Sequence, residues 1–360
     1  MFENFLSVCK DVTKTTRKIP QGEYLSDGTY KIFDQGKNYI GGYCNTANGV
    51  ASDYPYIVFG DHTRVIKYIN EPCYIGADGV KLLKVYNNDF IPKFVYYAML
   101  ANPVEHQGYS RHFKLLKETK IRKYDKSIQN TIIDELDKIN LAISLKESIL
   151  NHLDELVKSR FIEMFGDPLS NSKGYDLSDY GSLFELNAGG TPSKNKPEYW
   201  ENGNISWIGS NMCQDTILYE NDGKYITELG FNNSSARMFP KNTVLVALVG
   251  ATIGKTALLK FETTTNQNVL GIRGIEESGN NPYFVFYYTQ GLHKFFMDIS
   301  DGGFAMASKG FISKLPFPIV DISLQNDFAD FVKLIDKFKF VGYFTLNIFY
   351  VKSSHFHHPP

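Results

Sequence analysis

The chain is predicted to be of α/β (α+β) class, with two similar β-rich lobes separated by long coiled-coil helices and related by internal duplication. Three observations predict this. Residues 127–165 form an unbroken helical pattern in mid-chain. The word leading into it, Ser127-Ile128-Gln129-Asn130, returns as Ser323-Leu324-Gln325-Asn326 before a second amphipathic stretch, an offset of 196 residues. Upstream, Phe94-Val95-Tyr96-Tyr97 is answered by Phe284-Val285-Phe286-Tyr287 at an offset of 190, and a six-residue loop insertion reconciles the two.

The first lobe reads as short strands, YIVFG at Tyr56 to Gly60, RVIKYI at Arg64 to Ile69 and VKLLKVY at Val80 to Tyr86, separated by Gly and Asn turns. One helix interrupts them, opened by Ile91-Pro92 and closed by Asn102-Pro103. Next, Ile128, Ile132, Leu136, Ile139, Ile143, Leu150, Leu153 and Val157 recur at spacings of four and three, a coiled-coil seam broken only at Lys146. From Ser127 to Met164 this gives a rod of about 57 Å at 1.5 Å per residue. Gly166-Asp167-Pro168 stops it, and SNSKG at Ser170 to Gly174 reads as a linker.

The second lobe repeats the style, with strands ISWIGS at Ile205 to Ser210, TVLVALVG at Thr243 to Gly250, KTALLKF at Lys255 to Phe261 and NVLGIRG at Asn268 to Gly274. Its helix is expected from Tyr283 to about Asp298, followed by a glycine loop, DGGFAMASKG. The second rod starts at Ser323 and is expected to be short. After Lys339 the text is apolar and β-branched without heptads. The expected organisation is therefore lobe 1–123, central helix 124–168, lobe 169–320, shortened helix 321–340 and an atypical tail 341–360.

Composition sets limits. With 360 residues, 43% of them hydrophobic and 14% aromatic, the chain can support two cored domains and is not disordered. Cys9, Cys44, Cys73 and Cys213 form no CxxC pair, so neither a zinc ribbon nor a disulfide framework is indicated, and a reducing cytoplasm suits them. No basic leader and no membrane-length apolar run is present, so a cytoplasmic protein with no membrane partner is expected. The formal charge of −1 gives no sign of nucleic acid by itself. Between Arg111 and Lys126, seven basic residues outnumber Glu118 and Asp125, which suits either a backbone-lining surface or a solvated approach to the helix.

No catalytic constellation emerges. VGATIGKT at Val249 to Thr256 looks like a phosphate-binding loop, but the position that needs glycine is Val249 and Gly250 comes one residue late, so a tight turn between strands is expected instead. Asn281-Pro282-Tyr283 lacks the second proline of a base-clamping methyltransferase motif and reads as a helix start. There is no HExxH, no GxSxG and no i,i+4 histidine pair, while His355, His357 and His358 sit in the unassigned tail. No enzyme activity, no metal and no cofactor is expected. What remains are polar-aromatic loops of a kind that reads base edges: FGDHTR at Phe59 to Arg64, GGTPSKNKPEYW at Gly189 to Trp200 and TTTNQN at Thr263 to Asn268.

At these residues the chain resembles the specificity (S) subunit of type I restriction-modification systems, over about Phe5 to Lys339. The resemblance is carried by GGTPS with EYW at Glu198 to Trp200, ISWI at Ile205 to Ile208, LVGATIGK at Leu248 to Lys255, TTNQNV at Thr264 to Val269 and LDELVKSRFIEMFGDP at Leu153 to Pro168. It implies two target recognition domains, each reading one half of a split double-stranded DNA sequence, joined by helices that act as a ruler. It also implies docking of two methyltransferase (M) subunits, further restriction/motor (R) subunits, and no catalysis by the subunit itself. Two readers on a stiff rod reach major-groove edges about 34 Å apart only at a fixed spacing. The chain departs from the family where the second helix is cut short near Lys339. That leaves three outcomes open: loose packing, self-association with a second copy, or replacement of the missing helix by the tail. The alternative to DNA recognition is a two-lobed coiled-coil scaffold that binds proteins and has no DNA affinity.

Chemistry ranks the DNA-contacting candidates. In the first lobe they are His62, Arg64, Lys81, Arg111 and His112, and in the second Lys194, Lys196, Trp200, Asn211, Lys255, Asn266, Gln267 and Lys309. Lysines hold phosphate, while Arg, Asn and Gln can specify bases; Trp200 also reads as a core anchor. For subunit contacts, Leu136, Ile139 and Ile143 are expected in the helix seam, and Phe161, Met164 and Phe165 on an apolar edge facing the methyltransferase.

Overall fold

The run Tyr56-Ile57-Val58-Phe59 has no polar side because both faces of its strand are covered. Ile57 and Phe59 enter a core with Phe94, Val95 and Ile133, whereas Tyr56 and Val58 enter another with Phe33 and Ile75. Val244 and Val246 likewise face Phe284 and Phe328, while Leu245 and Ala247 face Ile208 and Val269. The computed structural model describes residues 1–108, 110–274, 279–300 and 306–355. They fall into two units, Met1–Ser148 with Tyr343–Pro360, and Ile149–Gly342.

The first unit contains, in order, β1 (Phe2–Asn4), α1 (Phe5–Val8), β2 (Cys9–Asp11), β3 (Lys18–Ile19), β4 (Tyr30–Phe33), β5 (Gly42–Cys44), β6 (Tyr56–Gly60) and β7 (Ile66–Ile69). It continues with β8 (Cys73–Gly76), β9 (Val80–Val85), α2 (Pro92–Ala101), α3 (Phe113–Leu116), β10 (Lys120–Arg122) and the start of α4 (Lys126–Phe165). One sheet has the order β2-β9-β6-β7, a second β3-β8-β4-β5, and β1 closes antiparallel on β10. The first sheet is thus sandwiched between the helices α2 and α4 and the second sheet.

After α4 the second unit holds β11 (Leu177–Asp179), α5 (Tyr180–Leu183), β12 (Phe184–Ala188), β13 (Ile205–Ile208), β14 (Thr216–Leu218), β15 (Tyr225–Ile226), α6 (Glu228–Asn232) and β16 (Met238–Phe239). Then follow β17 (Val244–Ala247), β18 (Thr256–Leu259), β19 (Thr263–Thr265), β20 (Val269–Gly274), α7 (Pro282–Gly291), α8 (His293–Ser300), α9 (Lys309–Ser313), β21 (Pro316–Pro318) and the start of α10 (Ile322–His355). The order β12-β20-β17-β18 repeats that of the first unit and adds β14, while β11–β21 answers β1–β10. The parallel pair β13–β19 answers β4–β8. The small sheets differ at one edge: β3 lies parallel to β8, whereas β16 lies antiparallel to β19.

The repeated Ser-x-Gln-Asn word has a physical reason. Gln129 is 0% and Gln325 1% exposed. Gln129 Oε1 accepts the Ile91 N–H at the start of α2 (2.8 Å), and its Nε2 donates to the carbonyls of Asp89 and Tyr124, both at 2.8 Å. Gln325 does the same in the second unit, accepting the Asn281 N–H at the start of α7 (2.8 Å) and donating to the Val320 carbonyl (2.9 Å) and Asn280 Oδ1 (3.1 Å). A buried amide thus takes up the backbone N–H of the residue that precedes each helix, Ile91 or Asn281, and it ties each long helix to its globule.

Two expectations are corrected. The helix from Tyr283 to Asp298 is two helices, α7 and α8, which break at Leu292 directly after Gly291, where a Cβ would lie 2.5 Å from the Pro168 ring. The backbone of α10 continues past Lys339 to His355. Between those two residues no proline interrupts the chain, so the loss of heptads removed a seam without removing the helix. Part of the expected glycine loop, residues 301–305, and His357 and His358 lie outside the described residues. Among the described residues no helix is long and apolar enough to cross a membrane.

Lys260 supplies a pH test of the second unit. Its Nζ lies 4.0 Å from the Tyr283 ring centre and 3.2 Å from Asn242 Oδ1. Burial pushes its pKa down to about 8, with Asp336 opposing and Lys333 assisting. The unfolded chain therefore binds more protons than the folded one between pH 8 and about 10.5, and stability rises with pH across that window. Lys260→Met is expected to unfold at higher urea than the parent at pH 7, with the gap closing by pH 10. A gap that widens with pH would contradict the assignment.

Candidate nucleic-acid interface

In the second unit, four chain segments meet at one end of its two sheets because of strand direction. β13 and β19 run parallel, Ile208 beside Thr265, so the loops after both leave from the same side. β12 ends beside the start of β20, and β17 ends at Ala247 opposite Val269, bringing residues 189–193 and 248–255 there too. Backbone bonds join the segments: Gly190 N–H to Thr265 O (2.8 Å), Asn266 N–H to Ile208 O (3.2 Å) and Leu248 N–H to Asn268 O (2.8 Å). Gly189 permits the closest approach, since a Cβ there would lie 2.0 Å from Thr265 Oγ1.

Four of the expected residues come together here. Gln267 is exposed and its Oε1 accepts from Thr191 Oγ1 at 2.6 Å. Asn266 Oδ1 accepts the Asn268 N–H at 3.1 Å. The Asn211 and Asn266 amides flank Gly209, whose absent Cβ would lie 2.5 Å from Asn211 Oδ1 and 3.7 Å from Asn266 Nδ2. Lys255 Nζ donates to Gln214 Oε1 at 2.9 Å, so Gln214, which the sequence reading passed over, holds the lysine at this end. The turn expected at VGATIGK is present: Gly250 and Gly254 have φ of +71° and +74°. Lys194 and Lys196 are exposed on the loop after β12, and Lys196 Nζ donates to Tyr199 Oη at 3.0 Å. Trp200 Nε1 donates to the Ser193 carbonyl (3.1 Å) and its ring meets Trp207 edge-on at 5.1 Å, which pins the loop down. Lys309 is exposed at the start of α9, beside Ala307, whose N–H donates to Leu248 O.

The first unit builds the corresponding end from the loops after β4, β6 and β8. Gln35, not anticipated from the sequence, is its centre: Oε1 accepts the His62 N–H (3.2 Å) and its carbonyl accepts Thr63 Oγ1 (2.7 Å). It follows the parallel strand β4 as the Asn211 loop follows β13, and that pairing was the missing signal. Beneath it Lys67, 3% exposed, reaches Asp34 Oδ1 (3.4 Å) and the Asn38 carbonyl (2.6 Å), fixing the loop. His62 is half-buried and Arg111 exposed. Lys81 pairs with Asp11 at 3.5 Å and lies over the Phe113 ring at 4.9 Å.

Four expected residues are placed otherwise. His112 is 0% exposed; its Nδ1 donates to Asp61 O (3.0 Å) and its Nε2 accepts the Gln107 N–H (3.2 Å), so both ring nitrogens serve the fold. Arg64, at φ +62°, donates from Nη1 to the Val104 carbonyl at 2.9 Å and braces a loop. Phe161 and Phe165 are 3% and 5% exposed and pack on Phe284 and Phe328 at 4.7 to 5.8 Å, so they are core and not an open edge. Met164 packs against that core, Leu136 against the core of the first unit, and Ile139 and Ile143 are half-buried.

Residues 172–340 match the family model described as the type I restriction modification DNA specificity domain. Over this stretch the chain is similar to type I specificity domains. The EcoR124I/EcoR124II specificity subunit of Escherichia coli is 27% identical over 268 residues, which are 69% of this chain and 65% of that subunit. The MjaIX specificity subunit of Methanocaldococcus jannaschii is 32% identical over 153 residues, 41% of this chain and 34% of that one. The chain thus spans about two thirds, or less, of the length of these specificity subunits. The crystal structure of the type I restriction-modification S subunit from M. genitalium superposes with a TM-score of 0.61 at 14% identity, over 99% of this chain and 94% of that one. A second structure, from work on complex assembly and conformational transition of the type I system, gives 0.56 at 12% identity over 99% and 96%. These two establish a shared fold.

Proposed function

We propose that the chain is the sequence-recognition subunit of a type I restriction-modification complex in the cytoplasm. Each unit reads one half of a bipartite double-stranded DNA target. The long helices set the gap and dock the methyltransferase subunits, to which restriction subunits are added, and the chain itself catalyses nothing. The observation that carries this is the meeting of Asn211, Asn266, Gln267 and Lys255 at one end of the two sheets, with Gln35 at the matching end of the first unit. Amide side chains can bind adenine at two points and lysine neutralises phosphate.

The test is co-expression with a type I methyltransferase subunit and sequencing of the methylated adenines. The expected result is one split motif, whose gap changes, with both halves retained, when seven residues are removed within 132–157. A continuous motif, or an unaltered gap in the deletion variant, would count against the reading.

A further inference from the structure

We propose that a groove beside the reading end of the second unit seats a DNA backbone phosphate between Arg237 and Arg273. This deepens the proposed function and rests on it. The groove is a cavity of about 330 Å³ between the β12–β20 pair and the segment 231–243.

Its construction follows from strand register. Glu185 stands opposite Arg273 and Asn187 opposite Gly271, so alternate residues of both strands share the groove face. A Cβ at Gly271 would lie 2.3 Å from the Phe239 ring, so the missing side chain lets that ring, 5% exposed, form the floor. Arg237 is then set on the rim two residues earlier. Its Nη1 donates to Asn187 Oδ1 (3.2 Å), and Asn187 Nδ2 donates to Glu185 Oε1 (2.7 Å). The guanidinium is oriented through this chain of hydrogen bonds and keeps most of its donors. Arg273 makes no ion pair among the described residues.

Three features select a phosphate of a polymer over a small enclosed ligand. Arg237, Arg273 and Glu185 are all exposed, so the groove is open along its length. Among the lining residues two guanidinium groups stand against one carboxylate, a positive excess, and the planar fork of arginine matches phosphate oxygens. The groove also adjoins the reading end: Asn187 lies just before the Gly189-Gly190 turn, and a Cβ on Gly190 would lie 2.4 Å from Ser235. A duplex whose base edges meet Gln267 carries its backbone across neighbouring ground. With a formal charge of −1, the chain can attract DNA only through such local excess.

The test uses the full chain with its methyltransferase subunit and a fluorescent duplex carrying the mapped target, titrated over a salt series. Arg237→Gln and Arg273→Gln are each expected to weaken binding about tenfold on all duplexes and to lower the slope of log affinity against log salt by about one. Base preference in the second half-site should stay unchanged, and Glu185→Gln should bind tighter than the parent. Arg273 stands outside the hydrogen-bond chain, so its variant removes charge without disturbing Asn187. An unchanged slope in both arginine variants, or weaker binding by Glu185→Gln, overturns the phosphate seat while the parent still prefers its target. A parent that prefers no split duplex removes the underlying reading as well.

Discussion

Replacing Gln129 by leucine will destabilise the first unit by roughly 3–5 kcal/mol, the largest effect expected of any single substitution in that globule. The side chain is inaccessible to water and makes three hydrogen bonds, to the Ile91 N–H and to the carbonyls of Asp89 and Tyr124. Leucine fills a similar volume but leaves one buried donor and two acceptors unmatched, at about 1–3 kcal/mol for each buried group. Urea unfolding of parent and variant measures the loss, and Gln325→Leu should reproduce it in the second unit. The neighbouring exposed position serves as a control: Asn130→Ala should change stability by less than about 0.5 kcal/mol. A Gln129 variant as stable as that control would show that the latch is not needed to hold helix and globule together.

The second large effect is on specificity. Gln267→Ala is expected to relax recognition of one base in one half-site by about 1–3 kcal/mol, roughly 5- to 150-fold, without altering the other half-site. Gln267 is exposed at the meeting point of the loops, and Thr191 holds its carbonyl oxygen so that the amide group presents one orientation. Thr191→Val should therefore produce a smaller loss at the same base. Competition binding with duplexes substituted one position at a time reads both effects. Equal weakening on every duplex would mean that Gln267 touches backbone and that the specifying contact lies elsewhere.

Much of this arrangement was legible in the sequence because it is written in local terms. Tyr56–Gly60, Val244–Ala247 and residues 269–272 are continuous apolar runs, and such runs need cover on both faces, which is how the strands are packed. Pro92 and Pro282 each sit at the first turn of a helix, as their missing N–H allows. The duplicated glutamine was visible as a word, but its purpose was not, because the N–H that it accepts lies 38 residues away in one unit and 44 in the other. Distance in sequence also hid the roles of Arg64 and His112, whose partners Val104 and Asp61 are 40 and 51 residues off. Both are polar residues with the right chemistry for DNA, and only the fold shows them committed to backbone groups. Phe161 and Phe165 misled for a related reason: an aromatic helix face looks the same whether a partner protein or the chain's own α7 and α10 covers it. Gln35 escaped notice because a single glutamine after the short strand Tyr30–Phe33 carries no signal until that strand is seen beside Cys73–Gly76.

The paired strands that open and close each globule carry an evolutionary consequence. Phe2–Asn4 lies against Lys120–Arg122, and Leu177–Asp179 against Pro316–Pro318, so entry and exit of each globule are one strand spacing apart, about 4.8 Å. A foreign globule carrying the same two-stranded clasp could be spliced in at those ends without rebuilding the flanking chain. Under the proposed function, recombination at two short seams would then exchange one half of the recognised word and leave the rest of the molecule in place.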